Sequence, residues 1–124
     1  MVTPDAARGR IDWLAVTDHL PASEPLTAAE VGTRMAELDG GWRTDGERLV
    51  REFRFGSFAA AFGLATRIAM AAERHDHHPD LEVGWGRLIV SFTSHDIGGL
   101  SERDFAMAAR VDRLVASGTG IKEA

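Results

Sequence analysis

The sequence predicts an α+β domain: a four-stranded antiparallel sheet with three helices packed on one face, plus a short N-terminal extension. Three observations predict it: helical periodicity in separate segments, an Asp-Gly turn between two strand-like segments, and the order helix, hairpin, helix, hairpin, helix. A chain of 124 residues fits one domain with its own core. We therefore expect a single domain at residues 27–117, with the extension at 1–26 and a short tail at 118–124.

Capping and turn signals mark the first helix and the first hairpin. Thr27 and Glu30 have the spacing of a capping box, which predicts the start of a helix, and a Gly-Gly pair predicts its end. Residues 42–44 are followed by an Asp-Gly turn and by residues 49–55, whose side chains alternate between two faces. This pattern is typical of a β-hairpin.

The longest predicted helix runs from Ser57, its cap, to about Arg74. Its apolar residues recur at intervals of three and four, and we assign all of its phenylalanines and alanines to the core. The residues that carry this periodicity are Phe58, Phe62, Ala65, Ile68, Ala69 and Ala72. The helix must end near His77, because Pro79 disfavours helical geometry at the residue before it.

Two further strands and a last helix complete the predicted fold. Strands are expected at residues 83–85 and 87–94, the second with apolar side chains at every other position. Ser101 and Asp104 then form a second capping box, which begins the last helix. An antiparallel sheet of this kind has open edges, which favours pairing with a second subunit.

Composition excludes several classes of function. The 14 Lys and Arg against 19 Asp and Glu give a net charge of −5, which argues against direct nucleic-acid binding. The chain has no cysteine, which excludes disulfides and thiolate-based metal or nucleophile chemistry. Charged residues interrupt every apolar stretch, and the N-terminus has no basic segment followed by an apolar one. We therefore expect no membrane span, no secretory signal and a cytoplasmic location.

The candidate functional residues are His77, His78 and His95, together with the carboxylates of Glu73 and Asp104. His77 and His78 follow the long helix, and the proline after them should make the two adjacent rings point in different directions. Glu73 lies one turn before His77, so its carboxylate is expected to reach that ring or a ligand beside it. Imidazoles and carboxylates without a thiol suit proton transfer near neutral pH. They suit zinc less well, because adjacent histidines rarely ligate one ion together.

Each of these residues also has a structural interpretation. A histidine at a helix end commonly interacts with the last carbonyl groups, and Asp104 can be simply the acidic member of a capping box. Trp42 either lines a pocket or is structural at its hairpin. A metal site built from His75, His77 and His95 stays an alternative.

The arrangement resembles the pterin-4a-carbinolamine dehydratase family, also known as the dimerisation cofactor of a hepatocyte homeodomain activator. The resemblance covers roughly residues 26–114, and several separated motifs in register carry it. These are Glu73-x-x-x-His77-His78-Pro79, Ser94-His95 and Gly99-Leu100-Ser101-x-x-Asp104, with Gly41-Trp42, Phe53-x-Phe55 and Phe58-x-x-Ala61-Phe62.

The resemblance implies dehydration of 4a-hydroxytetrahydropterin (4a-hydroxytetrahydrobiopterin) to quinonoid dihydropterin, a step of tetrahydropterin recycling, with no metal and no cofactor. It implies His77 and His95 as general acid and base, with His78 orienting the pterin. The implied substrate-binding residues are Glu73, Asp104 and Trp42. It also implies a homodimer or homotetramer. The alternative function, from a different class, is a non-catalytic protein-binding, assembly or transcriptional partner module of the same fold.

Overall fold

The architecture is an α+β layer of four antiparallel strands and three α-helices, as the sequence predicts. The computed structural model describes residues 24–118 of the chain. The helices are α1 (Ala28–Met35), α2 (Phe58–His75) and α3 (Glu102–Ser117), and the strands are β1 (Trp42–Thr44), β2 (Leu49–Arg54), β3 (Asp80–Gly84) and β4 (Arg87–Phe92). A 3-10 turn, His95–Ile97, separates β4 from α3. The predicted extension up to residue 23, and the tail beyond residue 118, lie outside the described residues.

The helices begin where their capping signals predict. At α1, the Thr27 hydroxyl accepts from the backbone N–H of Glu30 (3.2 Å), and the Glu30 carboxylate accepts from the backbone N–H of Thr27 (2.9 Å). The Ser57 hydroxyl caps α2 by accepting from the N–H of Ala60 (3.1 Å). No helix within residues 24–118 is both long and apolar enough to cross a membrane.

The sheet has the strand order β1-β2-β4-β3, with every neighbouring pair antiparallel. Its register sets Leu49 opposite Phe92 and Phe53 opposite Leu88, so these apolar side chains share one face. Helices α2 and α3 pack against the sheet and against each other. Leu88, Val90 and Phe92 are fully buried, which confirms the predicted alternation along β4. The core therefore lies between this face and the two long helices.

The hairpin of β3 and β4 turns one residue earlier than the sequence predicts. The prediction was a strand at residues 83–85, but Trp85 lies in the turn and exposes 75% of its surface. Gly86 follows with a φ of +66°, and a Cβ added there would lie 2.6 Å from the backbone oxygen of Phe55. Only glycine fits both the left-handed conformation and the close approach, and it fixes the position of the turn.

The buried face of α2 differs from the predicted one. Phe58 and Phe62 are 48% and 54% exposed and stack on each other, with ring centroids 5.9 Å apart. Ala69 is also exposed, so the assignment of all phenylalanines and alanines to the core is wrong. The residues that α2 does bury are Ala61, Leu64, Ala65, Ile68 and Ala72. Ala65, Ile68 and Ala72 are buried as predicted, and they belong to both apolar stripes of this alanine-rich helix, so periodicity alone favours neither stripe.

Candidate active site

The chain changes direction directly after α2. Asp76 adopts the left-handed conformation (φ 52°, ψ 40°), and the backbone N–H of His77 donates to the carbonyl of Ala72 (3.3 Å). The His77 side chain is then 11% exposed, whereas that of His78 is 53% exposed. The two adjacent rings thus face different surroundings, as expected from the sequence.

His77 is held between a carboxylate of α3 and an aromatic ring of β4. Its Nε2 lies 2.6 Å from Oδ1 of Asp104. Its ring stacks on Phe92 with a centroid distance of 6.1 Å and an interplanar angle of 16°. Because an ionised carboxylate only accepts hydrogen bonds, we assign the proton of neutral His77 to Nε2. The assignment leaves Nδ1 with a free lone pair.

Asp104 is fully buried, and both of its oxygens accept hydrogen bonds. Besides His77 on Oδ1, the Ser94 hydroxyl (2.8 Å) and the backbone N–H of Ser101 (2.9 Å) donate to Oδ2. The bond from Ser101 is one of the two bonds of the predicted capping box. Asp104 is therefore both the capping residue of α3 and the partner of His77, so the two interpretations of this residue are compatible.

Glu73 pairs with a different histidine from the predicted one. Its Oε1 lies 2.6 Å from Nε2 of His78, and both side chains are exposed. The sequence predicts contact with His77, one helical turn away, on the assumption that the helix continues. Because the left-handed Asp76 ends the helix first, His77 instead meets Asp104 of α3. His78, the next residue, is the one that reaches Glu73.

His95 begins the 3-10 turn that follows β4, directly after Ser94. Its side chain is exposed, and within the part of the chain that the structure describes no hydrogen bond engages its imidazole. Ser94 donates to Asp104, which in turn accepts from His77. His95 is thus one residue along the chain from the group that connects to His77. The structure brings these elements to one end of the sheet.

An ion pair borders the site at the same turn. Arg103 Nη2 lies 2.6 Å from Oδ1 of Asp96. The hydrogen bond and charge of this guanidinium lower the pKa of Asp96. Neither residue was predicted to belong to the site. The pair links the loop that carries His95 to the first turn of α3.

Trp42 is buried, and its polar atom is already engaged. Its indole Nε1–H donates to Oδ1 of Asp112 (2.7 Å), as does Nη1 of Arg51 (2.7 Å). Burial raises the pKa of Asp112 although these donors favour the carboxylate. The Trp42 ring lies 6.2 Å from that of Phe92. Trp42 has a clear structural role here, and its role as a wall of the pocket stays a prediction.

The sequence missed two residues of the site that it could have indicated. Ser94 follows Phe92 by two positions, so the alternation of β4 already points it inwards. Phe92 was predicted to share a strand face with Leu88 and Val90, and its ring also stacks on His77. Among residues 24–118, no cluster of three or more His, Asp and Glu side chains has a geometry that could hold a metal ion. The grouping of His75, His77 and His95 thus forms no such cluster.

Comparison with known proteins gives one consistent family. Residues 24–114 match the family described as Pterin 4 alpha carbinolamine dehydratase. Relatives named for this activity include a Rhizorhabdus wittichii protein, 44% identical over 73% of this chain and 95% of its own length. A Chloroflexus aurantiacus protein is 38% identical over 73% of this chain and 96% of its own length.

A solved structure agrees with this assignment. It is the crystal structure of a transcriptional coactivator/pterin dehydratase from Brucella melitensis, with a TM-score of 0.68 and 33% identity. The match covers 73% of this chain and 98% of that chain. The match in sequence and the match in structure cover most of the described residues. The chain belongs to the pterin-4-alpha-carbinolamine dehydratase family.

Proposed function

We propose that the protein dehydrates 4a-hydroxytetrahydropterin to quinonoid dihydropterin by general acid–base catalysis with histidines. The observation that carries the proposal is the buried pair of His77 and Asp104, which leaves Nδ1 of His77 as a free base. The reaction needs a proton donor at the leaving hydroxyl and a proton acceptor at the neighbouring ring nitrogen. Histidines supply both near neutral pH, typically with a rate gain of ~10²–10⁴-fold.

The bonds and protons balance without a change of oxidation state. The C–O bond at the 4a carbon breaks while the lone pair of the neighbouring ring nitrogen forms a C=N bond. Nδ1 of His77 takes the proton from that nitrogen, and the imidazolium that results is stabilised by the carboxylate of Asp104. His95 protonates the departing hydroxyl, which leaves as water. Both histidines then return to their starting states by exchange with solvent.

The remaining predicted site residues have roles that follow from their exposure. His78 and Glu73 form an exposed pair, and we assign them to orienting the polar edge of the pterin. Asp104 is fully buried, so we assign it to act through His77 and not by contact with the pterin. Trp42 is likewise buried, and we assign it to support of the Phe92 ring beneath His77.

We further propose that the protein forms a homodimer or homotetramer. Helix α2 exposes the large apolar side chains of Phe58, Phe62 and Met70 to water. Such an apolar patch is typical of a surface that another subunit covers. Strand β3 also has one unpaired edge within the described sheet. Light scattering coupled to size-exclusion chromatography measures the mass directly. A monomer at micromolar concentration would contradict this part of the proposal.

A stopped-flow assay with freshly generated carbinolamine tests the function. The wild-type protein is expected to accelerate dehydration, and His77→Ala and His95→Ala are each expected to lower the rate by ~10²-fold or more. His75→Gln is the control, because this histidine lies at the same helix end but outside the assigned site. The proposed function is wrong if the wild type does not accelerate dehydration, or if the double variant keeps the full rate.

The alternative function is a non-catalytic partner module of the same fold. The observation that favours it is the exposed apolar face of α2, together with the coactivator role named for the Brucella relative. The wild-type rate decides between the two, because a partner module has no need of the His77 and Asp104 pair. A protein without dehydratase activity that still folds would support the module.

A further inference from the structure

We propose that Ser94 and Ser101 are positioning residues, whose hydroxyls form a hydrogen-bond chain that fixes which ring nitrogen of His77 is free. Its consequence for turnover rests on the proposed function, but the chain itself depends only on the geometry of the described residues. Ser94, Ser101 and Asp104 are 1%, 2% and 0% exposed. Three polar side chains therefore lie together in the interior, where each needs a partner.

The direction of each hydrogen bond can be deduced by starting from Asp104, which can only accept. The Ser94 hydroxyl donates its single proton to Oδ2 of Asp104 (2.8 Å), which as a carboxylate can only accept. The Ser94 oxygen must then accept in its contact with the Ser101 hydroxyl (2.7 Å). The Ser101 oxygen in turn accepts from the backbone N–H of Arg103 (3.2 Å). The bonds therefore all run in one direction, from the first turn of α3 to Asp104.

The hydrogen bonds to Asp104 determine which ring nitrogen of His77 carries the proton. Oδ2 of Asp104 is occupied by the Ser94 hydroxyl and by the N–H of Ser101, so Oδ1 remains to accept from His77. Because a carboxylate oxygen only accepts, its contact with Oδ1 places the ring proton of His77 on Nε2. The other tautomer would set a lone pair of His77 against a carboxylate oxygen at 2.6 Å. The hydroxyl chain therefore keeps Nδ1 as the acceptor.

Helix capping explains only part of this arrangement. Ser101 and Asp104 are needed to cap α3, whatever else they do. Ser94 precedes the 3-10 turn, but its side chain makes no capping hydrogen bond there. It continues the inward-facing series of Leu88, Val90 and Phe92, where an apolar residue is the usual choice. A hydroxyl at this position needs a reason other than helix capping. Support of the Asp104 carboxylate supplies one.

Ser94→Ala removes one donor from the chain and leaves the capping box intact. The carboxylate of Asp104 then keeps only two of its three donors and is freer to turn, so its contact with Nε2–H of His77 loosens. We expect kcat to fall about tenfold, with a smaller change in KM, since acid–base groups act mainly on the chemical step.

The tautomer of His77 can be measured directly. Long-range ¹H–¹⁵N correlation at alkaline pH distinguishes a protonated Nε2 from a protonated Nδ1. The wild type is expected to show the Nε2–H tautomer alone, and Ser94→Ala a mixture. Ser94→Thr keeps the hydroxyl and is expected to restore both the tautomer and kcat. Thr93→Val is the matched control, because the hydroxyl of Thr93 bonds the carbonyl of Glu47 and not Asp104.

Two results would overturn the proposal. One is wild-type His77 in the Nδ1–H form. The other is Ser94→Ala with an unchanged tautomer and an unchanged kcat, which would leave Ser94 a purely structural role. If Ser94→Ala does not fold, Ser94→Cys gives the same test, because a thiol is a weak donor of nearly the same size. A wild type without dehydratase activity would refute the proposed function, whereas the tautomer measurement would still decide this proposal.

Discussion

Replacing Asp104 with asparagine changes the charge of the buried pair with almost no change of shape. The carboxylate accepts two hydrogen bonds on Oδ2 and one, from His77, on Oδ1. Asparagine has one accepting oxygen and one donating amide group. Its oxygen is expected to take the side with two donors, so the amide will face His77. The ring must then carry its proton on Nδ1, and the free base is lost.

The size of each effect follows from these contacts. Loss of a correctly placed general base lowers the rate by ~10²–10⁴-fold, and we expect Asp104→Asn to fall in this range. A hydrogen bond to a charged group contributes about 1.5–3 kcal/mol and a neutral one about 0.5–1.5 kcal/mol. The variant replaces the charged hydrogen bond to His77 with a neutral one and therefore loses about 1–2 kcal/mol of stability. A domain stable by roughly 5–15 kcal/mol stays folded after this loss.

Three measurements on Asp104→Asn separate catalysis from folding. Stopped-flow kinetics give kcat and KM, urea titration gives the free energy of unfolding, and ¹⁵N chemical shifts give the tautomer of His77. Gly86→Ala serves as a control of similar instability at a distant turn, and it should keep its rate per folded molecule. A rate within a factor of about five of wild type, with the tautomer unchanged, would refute the reasoning.

Three further predictions concern stability and pH. Gly86→Ala is expected to lower the free energy of unfolding by roughly 1–3 kcal/mol, because the left-handed φ and the Phe55 oxygen both oppose a Cβ; an unchanged urea midpoint would contradict this. Burial raises the pKa of Asp112 above its ordinary 3.8, so the stability that this group contributes is fully present below 3.8 and is lost as pH rises through the higher folded value. Urea titrations at several pH values should show the wild type losing stability relative to Asp112→Asn over that window, and the opposite trend would mean that Arg51 and the hydrogen bonds outweigh burial. Dehydratase activity is expected to fall below about pH 6 as a required imidazole is protonated, and a flat profile from about pH 5 to 8 would argue against histidine catalysis.

The elements that the sequence predicted well are those with local signals. Capping boxes begin α1 and α3, a serine caps α2, and an Asp-Gly turn joins β1 to β2, because a few neighbouring residues decide each of these features. The buried face of α2 could not be chosen in this way. Alanine fits both stripes of that helix equally, and only the shape of the sheet and of α3 selects Leu64 over Phe62 for the interior.

The sequence predicted which residues form the candidate site but not which of them pair with each other. The family motifs identify the three histidines, Glu73 and Asp104 together. Which carboxylate meets which ring depends on Asp76, because its left-handed φ of 52° ends the helix and sets the different surroundings of His77 and His78. Asp76 is neither a glycine nor an asparagine, so the sequence carries no strong sign of that conformation.

One helix anchors aromatic groups from both ends of the site. Asp104 and Asp112 lie eight residues apart on α3, about 12 Å along its axis. The first holds the ring of His77 and the second the indole of Trp42, with Phe92 between them. His77, Phe92 and Trp42 are all tied to the core, so this part of the site cannot open by loop motion alone. Hydrogen exchange at His77 should therefore require the same opening as exchange in the middle of α3, and heat should abolish catalysis and tertiary structure in a single step.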